Sequence, residues 1–512
     1  MLVKTYGSAV FGIRAISVTV EVYMDQGIQF FMVGLPDSAV KESHQRIESA
    51  LRANGFRIPG KKIIINMAPA DIRKEGSSYD LTIAMGILAA NEQIGADKLE
   101  HYMIMGELSL DGGLLPIKGA LSIAIEAKEK GFKGILLPVQ NAQEASIVNG
   151  LEVYGISKIS EVIDFFNGRA DIAQTQMKVN DLFNQQVNRY EYDFADVRGQ
   201  ENIKRALEIA AAGGHNVILI GPPGAGKTML AKRLPSILPP LNLQEALETT
   251  KIHSVAGKLG SHRALIAVRP FRAPHHTVSN TALVGGGSIP QPGEISMAHN
   301  GVLFLDELPE FKRTVLEVLR QPMEDRVVTI SRAKMSLEFP ASFMLVAAMN
   351  PCPCGYYNHP VTACQCKAGE VQKYINRISG PLFDRIDIHV EVVPVDFRKL
   401  SDYQQAEHSE AIRNRVIQAR HIQEKRYEEI QGVYSNSQIP SRLLRTICRI
   451  NDTGNLLLKN AMDKLGLSAR AYDRILKVSR TIADLDQCDD IRVEHLAEAI
   501  NYRSLDRDSW GK

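Results

Sequence analysis

The feature that most constrains the fold of this chain is the segment GPPGAGKT at positions 221–228. It follows the apolar stretch NVILI at 216–220 and precedes a stretch of helical periodicity. It matches the G-x-x-x-x-G-K-[ST] loop, whose backbone N–H groups surround nucleotide phosphates between a strand and a helix. The sequence therefore predicts an α/β domain that binds ATP and Mg²⁺. The predicted contacts are Gly221, Pro222, Pro223, Gly224, Ala225, Gly226, Lys227 and Thr228, with Lys227 on the β/γ-phosphates and Thr228 on the metal.

Two further apolar stretches end in polar side chains that suit ATP hydrolysis. GVLFLDE at 301–307 reads as a buried strand followed by Asp306, a predicted magnesium ligand, and Glu307, a predicted base that polarises water. FMLVAAMN ends in Asn350, whose amide is expected to hold the attacking water. Because short apolar stretches alternate here with helical patterns, we expect a parallel sheet flanked by helices.

A chain of 512 residues is too long for one hydrophobic core, and its composition changes along its length. Strand-like and helical stretches mix at the start, a polar Gln/Asn-rich segment follows, and the end is almost purely helical. We predict an α+β domain at 1–168, a linker at 169–191, an ATPase core at 192–395 with a cysteine-rich insertion at 350–367, and a helical lid at 396–512.

Four of the six cysteines lie together as C-x-C-x₉-C-x-C. Clustered thiolates suit a closed zinc site, although C-x-C is tighter than the usual spacing, and the predicted Zn²⁺ ligands are Cys352, Cys354, Cys364 and Cys366. A metal-free loop of reduced cysteines and a site in which His359 replaces one thiol are open alternatives. The cysteine pattern, together with the lack of a signal peptide, favours a cytoplasmic protein. No apolar stretch reaches the length of about 20 residues that a membrane span needs.

The net charge of +2 is small, so any contact with nucleic acid must come from local patches. RVVTISRAKMSLEF at 326–339 reads as two strands around a basic turn, and Arg332 and Lys334 are its predicted DNA contacts. The Gly/Pro-rich stretch at 283–296 is a second candidate loop. Two ordinary surface loops are the alternative. We interpret the basic stretch at 411–426 as a solvated helix face rather than a DNA site.

Together these motifs resemble the AAA+ ATPases, in which Asn350 would be sensor 1. The resemblance extends to GPLFDRIDIHVEV, where Arg385 matches the arginine finger, and to GLSARAYDR, where Arg470 matches sensor 2. An arginine finger stabilises charge on the γ-phosphoryl group of a neighbouring subunit's nucleotide. The alternative for either arginine is a surface ion pair, and Arg377 and Arg474 are nearby competitors.

Three longer sequence segments make the resemblance more specific: RPFRAPHHTVS at 269–279, LVGGGSIPQPGEISMAHNGVLFLDELPEF at 283–311 and NPCPCGYYNHP at 350–360. They are similar to the magnesium-chelatase-like branch and, within it, to the ComM/YifB family over nearly the whole chain. The resemblance implies a hexameric helicase that acts on single-stranded or branched DNA and drives branch migration while transforming DNA is integrated. Two alternatives stay open: a motor that inserts Mg²⁺ into a porphyrin, and an ATP-dependent remodeller of protein partners.

The N-terminal domain resembles the proteolytic domain of Lon, and KEGSSYDL places Ser78 at the nucleophile position. The position of that family's lysine base falls on Leu121, whose aliphatic side chain cannot accept a proton, and Lys118 falls elsewhere in the aligned turn. We therefore predict a domain that is not a protease and serves as a scaffold or DNA-binding ring. Ser77 or Ser78 is expected instead to cap a helix that starts near Tyr79. The resemblance also implies that chelatase motors lack this extension, which argues against the chelatase alternative.

Overall fold

The structure is a computed structural model that describes residues 1–260, 264–287, 290–332, 335–359, 361–394 and 406–503. Buried apolar side chains form one core before residue 167, and two further cores cover the opposite faces of a second sheet. Val217 and Ile218, neighbours on one strand of that sheet, belong to opposite cores because successive strand residues point to opposite faces.

The N-terminal part is built on a seven-stranded mixed sheet. The strands of this part are β1 (Leu2–Phe11), β2 (Arg14–Asp25), β3 (Phe30–Val33), β4 (Lys62–Ala68), β5 (Tyr102–Ile104), β6 (Glu107–Leu108), β7 (Leu114–Leu115), β8 (Gly134–Pro138) and β9 (Glu152–Ile156). The sheet order is β3-β4-β2-β1-β5-β8-β9, while β6 and β7 pair separately. β2 runs antiparallel to both of its neighbours, and the other pairs of the sheet are parallel.

Helices pack against this sheet: α1 (Ser38–Ala53), α2 (Asp80–Ala90), α3 (Ala120–Glu129), α4 (Val139–Ala145) and α5 (Ile159–Phe166). α2 is apolar on all sides and is buried along its whole length against β1 and β2. The capping prediction for Ser77 or Ser78 is wrong. Tyr79 occupies the N-cap of α2 without a side-chain bond, because the Ser78 carbonyl accepts the N–H of Gly106 and places the buried Tyr79 ring at the helix start.

The segment predicted as a linker contains helix α6 (Val179–Gln186) and leads to residues that are bonded to the part of the chain after it. The Arg233 side chain donates from Nε to the Asp193 carbonyl at 2.8 Å. The N–H of Phe194 donates to Ser409 Oγ at 2.8 Å, and the Phe194 ring is fully buried. These bonds fix the end of the segment on the core.

The central part contains a five-stranded parallel sheet with the order β11-β14-β17-β10-β18. Its strands and the hairpins beside it are β10 (Val217–Ile220), β11 (Phe271–Arg272), β12 (Gly285–Gly286), β13 (Gln291–Pro292), β14 (Val302–Leu305), β15 (Val327–Arg332), β16 (Met335–Pro340), β17 (Met344–Met349) and β18 (Ile388–Glu391). The helices are α7 (Glu201–Gly213), α8 (Lys227–Arg233), α9 (Leu243–Val255), α10 (Asn280–Val284), α11 (Glu294–Met297), α12 (Arg313–Glu317), α13 (Arg320–Asp325), α14 (Glu370–Ile375) and α15 (Gly380–Phe383). The predicted parallel sheet is confirmed.

The C-terminal part is helical, as predicted: α16 (Ser409–Tyr427), α17 (Ser441–Ile447), α18 (Asp452–Leu465), α19 (Ala469–Leu485) and α20 (Val493–Asn501). The basic helix α16 packs on α7, and several of its arginines contact protein groups. Arg415 pairs with Glu208, and Arg426 pairs with the buried Asp484. No helix within the described ranges is both long and apolar enough to cross a bilayer.

The N-terminal part docks on α9 of the central part. The N–H of Gly119 donates to the Ser254 carbonyl at 3.2 Å, and the Ser254 hydroxyl donates to the Glu144 carboxylate. Glu144 also accepts the N–H of Leu121 at 2.8 Å, and burial raises the pKa of this carboxyl group. The Leu121 side chain lies in a small apolar cluster that joins the two parts and α6, which we call the docking cluster: Leu121, Ile147, Val179, Leu241, Ala246, Ala264 and Leu265.

Candidate functional site

The phosphate-loop sequence forms a turn between β10 and α8, at the carboxyl edge of the parallel sheet. Gly224 and Gly226 adopt φ values of +77° and +86°, a left-handed conformation that favours glycine. Lys227 begins α8, and its Nζ donates to the carbonyls of Gly221 at 2.6 Å and Pro222 at 3.0 Å. Burial lowers the pKa of the Lys227 ammonium group, and nearby carboxylates offset this only in part.

The predicted hydrolytic residues meet this loop because three parallel strands end at the same edge. Thr228 Oγ1 donates to Asp306 Oδ2 at 2.7 Å, so the two predicted magnesium ligands are in direct contact. Lys227 Nζ donates to Asn350 Oδ1 at 3.1 Å. Lys227, Thr228, Asp306 and Asn350 thus form two hydrogen-bonded pairs on adjacent residues of the loop, which together we call the phosphate-loop cluster.

Glu307 lies beside this cluster, in a backbone conformation that non-glycine residues seldom adopt. Its φ is +53°, and its N–H donates to Asp306 Oδ1 at 2.9 Å. Its carboxylate is 57% exposed and lies 3.1 Å from Nδ1 of His276, whose ring also contacts His275. The sequence reasoning missed His276. The signal was the His-His pair in RPFRAPHHTVS, but only the tertiary fold brings that segment to Glu307.

The two predicted arginines both lie close to Asp384, and among the described residues neither has a recorded bond to the phosphate-loop cluster. Arg470 is 60% exposed and lies 3.7 Å from Asp384, the residue that precedes Arg385. Arg385 is buried: it pairs with Glu324 and donates from Nη1 to the Pro381 carbonyl at 2.6 Å. Both arginines therefore belong to one side of the molecule.

The two arginines named as alternatives to Arg385 and Arg470 each form an ion pair with a carboxylate. Arg377 pairs with Glu310 at 2.9 Å on the surface. Arg474 pairs with the fully buried Asp387 at 2.6 Å, and His215 lies on the same carboxylate. Burial alone would raise the pKa of Asp387, but Arg474 and His215 hold it well below its usual range. Arg474 is thus held by an internal carboxylate.

The four clustered cysteines converge directly after Asn350. Their sulfur atoms all lie within 4.8 Å of one another, and the Cys354–Cys364 distance is 3.5 Å. Four thiolates around one zinc ion at about 2.3 Å stand roughly 3.8 Å apart, so this donor set fits the ion. His359 is not in the group; its Nδ1 accepts the N–H of Thr362 at 2.9 Å. The insertion also contacts the phosphate loop, since a Cβ on Gly355 would lie 2.6 Å from Pro223 Cδ.

The predicted basic hairpin forms: β15 and β16 pair antiparallel, with Arg332 opposite Met335. Lys334 and the side chain of Arg332 lie outside the described residues. The second candidate loop is also a hairpin, in which β12 pairs with β13. The two hairpins touch, since a Cβ on Gly285 would lie 3.0 Å from Ile330 Cδ1.

The predicted nucleophile segment of the N-terminal part has no comparable convergence. Leu121 lies in the docking cluster, and the aliphatic chain of Lys118 lies against Gly257 of the central part. Lys74 is fully buried, which lowers its pKa, but its Nζ donates to the Pro69 carbonyl. Among the described residues, no lysine is recorded in hydrogen-bond contact with Ser78.

Comparison with known proteins gives matches across the whole chain. Residues 193–400 match the family of magnesium chelatase, subunit ChlI; residues 406–503 match its C-terminal region; and residues 20–141 match the family described as subunit ChlI of Mg-chelatase. The last match lies in the N-terminal part, so the argument that this extension excludes a chelatase motor does not hold.

Comparison with individual proteins identifies the family more specifically. The chain is 44% identical to competence protein ComM of Haemophilus influenzae over 511 residues, 99% of this chain and 98% of that protein. It is 44% identical to the uncharacterized protein YifB of Escherichia coli over 503 residues, 98% of this chain and 96% of that protein. Lon protease 2 of Bacillus subtilis is 31% identical over 128 residues, 25% of this chain and 23% of that protein. The chain therefore belongs to the ComM/YifB family of magnesium-chelatase ChlI-like proteins.

Proposed function

We propose that this chain is a ring-forming ATP-dependent DNA motor, a hexameric helicase that promotes branch migration while transforming DNA is integrated. The observation that carries the proposal is the similarity to a competence protein, 44% over 99% of the chain. The phosphate-loop cluster also supports the proposal, because a motor needs a site that hydrolyses ATP. A location in the cytoplasm, where such DNA is processed, stays a prediction.

In this proposal each residue of the cluster has a role in ATP hydrolysis. Thr228 and Asp306 hold Mg²⁺, which neutralises phosphate charge when bound. Lys227 exchanges its bonds to the Gly221 and Pro222 carbonyls for bonds to the β/γ-phosphates. Glu307 accepts a proton from the attacking water, and Asn350 orients that water.

We propose that the two arginines serve the nucleotide of a neighbouring copy of the chain. Among the described residues neither arginine has a recorded bond to the phosphate-loop cluster of its own chain, which supports a site assembled from two subunits. Arg385 would exchange its partner Glu324 for the γ-phosphoryl group, and the exposed Arg470 would contact the same nucleotide. Hydrolysis would then depend on assembly of the ring.

We also propose that Cys352, Cys354, Cys364 and Cys366 bind one Zn²⁺ ion. The proximity of the four sulfur atoms supports it. Since Asn350 precedes the site and Gly355 contacts Pro223, the ion would stabilise one wall of the ATP site. Its role would be structural, because four thiolates leave no open coordination position.

One observation favours the alternative function of a magnesium chelatase motor. The families matched by this chain are described by the name of a magnesium chelatase subunit, so a motor for Mg²⁺ insertion into a porphyrin is the second candidate. An ATP-dependent remodeller of protein partners is the third.

A branched-DNA assay separates these candidates. Purified full-length protein should displace a labelled strand from a synthetic branched DNA with ATP, and the DNA should stimulate ATP hydrolysis. The Glu307→Gln variant should bind ATP without strand movement. ATP turnover that ignores DNA, together with no strand movement, would overturn the proposal.

A further inference from the structure

A groove of about 900 Å³ lies between the end of the linker segment and the central part. The lining comes from residues between 186 and 192, from the end of α8 and the turn after it, from residues between 253 and 260, and from residues 265–272. This volume is at the upper end of the range of small-molecule clefts, roughly 300–1,000 Å³. It therefore has room for an extended ligand.

The charge of the groove favours an anion. Five arginine and lysine residues line it against one acid, Glu191. Arg269 and Arg272 are paired with glutamates outside the groove. The other three cations are exposed and, among the described residues, have no recorded acidic partner: Arg189, Lys232 and Lys258. Three free cations along one groove are complementary to a chain of phosphates.

Aromatic rings alternate with these cations along the same walls. Tyr190 lies beneath the guanidinium group of Arg413 at 4.9 Å, and Tyr192 beneath that of Arg233 at 5.4 Å. Phe271 stacks on Phe304 with a centroid distance of 5.8 Å. Each ring is thus held by a protein partner while it also lines the groove. Fixed rings beside free cations are the combination that binds unpaired bases and their phosphates.

The groove shares structural elements with the ATP site. Lys232 lies on α8, the helix that begins with Lys227. Phe271 and Arg272 form β11, which pairs with β14, the strand that leads to Asp306. Arg272 also bonds Glu294, at the start of the helix that follows the β12–β13 hairpin. A ligand in the groove would therefore contact elements that position the phosphate-loop cluster.

We propose that this groove binds single-stranded nucleic acid, with phosphates on Arg189, Lys232 and Lys258 and bases against Tyr190, Tyr192 and Phe271. The inference rests on the proposed function, since it identifies where the DNA lies on each subunit. It places a binding surface outside the two hairpins that the sequence singled out.

The test measures binding of a fluorescein-labelled oligodeoxythymidine strand to the full-length protein by anisotropy over a series of salt concentrations. The Lys232→Glu/Lys258→Glu variant should lose about tenfold or more in affinity, and its salt slope should be shallower by about 2. The matched control reverses two exposed lysines in the N-terminal part that also lack a recorded acidic partner, Lys98→Glu/Lys130→Glu. It should bind like the unmodified protein. The control should also hydrolyse ATP without DNA at the rate of the unmodified protein.

Crosslinking gives a second readout that does not depend on charge. A strand that carries 4-thiothymidine should, after irradiation, form adducts on Tyr190, Tyr192 or Phe271 that mass spectrometry locates. If the unmodified protein binds the strand and the Lys232/Lys258 variant binds it equally well, the groove assignment is wrong while the proposed function stands. Adducts confined to other surfaces would lead to the same conclusion. If the unmodified protein binds no strand at all, the proposed function itself falls.

Discussion

Two glycine-containing turns, each followed by a helix, offer this chain a place for chemistry, and they differ in what surrounds them. At Gly226 the turn meets Asp306 and Asn350, which arrive from neighbouring strands within hydrogen-bond distance of Thr228 and Lys227. At Gly76 the turn leads to Ser78, but the position that a base occupies in the Lon family carries Leu121, which packs between two parts of the molecule.

The comparison teaches that a glycine-containing turn and the helix after it can form without a pair of side chains that would support catalysis. The backbone of the Ser78 turn is held by the bond from Gly106 and by the buried α2, neither of which needs a reactive hydroxyl. Leu121, at the position that the resemblance to Lon assigns to the base, contributes to domain docking. The phosphate loop, by contrast, is held by the same side chains that would act on ATP.

The largest effect should follow from Lys227→Ala, which removes the cation at the centre of the phosphate-loop cluster. We expect ATP turnover to become undetectable, because the phosphate charge loses its partner. Glu307→Gln should keep ATP binding but lose roughly 10²–10⁴-fold in turnover, the range for a general base. Steady-state hydrolysis and equilibrium nucleotide binding measure both. Turnover near the normal rate in the glutamine variant would contradict the assignment of Glu307.

Arg385→Ala tests whether the site is completed by a second chain. It should bind ATP almost normally and lose about 10³–10⁵-fold in hydrolysis, as removal of an arginine finger does. Mixing it with Lys227→Ala should restore part of the activity, because some interfaces then contain an intact Lys227 and an intact Arg385. No recovery in rings shown to be mixed would place Arg385 outside a neighbour's site.

Removal of one cysteine of the cluster should have an intermediate effect. The unmodified protein should contain one zinc ion per chain by elemental analysis. Cys364→Ser should lose this zinc, and its melting temperature should fall by several degrees. ATP turnover should fall as well, since Asn350 and the Pro223 contact adjoin the site. Cys488→Ser, a cysteine outside the cluster, is the control. Zinc-free protein purified under reducing conditions would refute the metal site.

A smaller, opposite change should follow from His276→Ala. The imidazole lies 3.1 Å from the Glu307 carboxylate, and we expect this contact to compete with the action of Glu307 on water. Its removal should raise kcat for ATP several-fold without changing KM. His275→Ala, which alters the neighbouring ring only, should leave kcat unchanged. A lower kcat in the His276 variant would mean that the histidine positions Glu307 for catalysis instead.

The smallest effect belongs to the N-terminal turn. Ser78→Ala should leave ATP turnover and DNA binding unchanged, and neither form should release peptides from casein, because no lysine in the described part of the chain has a recorded bond to this serine. Peptide release that disappears with the substitution would overturn the contrast between the two turns, and Lys74 would then be the residue to test next.

The sequence predicts best what depends on local order along the chain. The phosphate loop, Asp306 and Asn350 stand at the ends of apolar strands, so parallel pairing alone brings them together. The contact of His276 with Glu307 and the docking role of Leu121 depend on which surfaces meet after folding, and no local pattern encodes that. The prediction of a cap at Ser77 or Ser78 is wrong for a related reason. The Ser78 carbonyl accepts a hydrogen bond from the N–H of Gly106, a residue distant in sequence, and the buried Tyr79 occupies the N-cap position.

The docking cluster makes the two halves of the chain depend on each other for solubility. A shortened chain without the N-terminal part would leave Leu241, Ala246 and Leu265 facing water, and the separated N-terminal part would expose Leu121 and Ile147. Newly exposed apolar surface promotes association between molecules. Oligomers formed by such a fragment would then result from the apolar surface that the truncation exposes. Their size would not indicate the oligomeric state of the full-length protein.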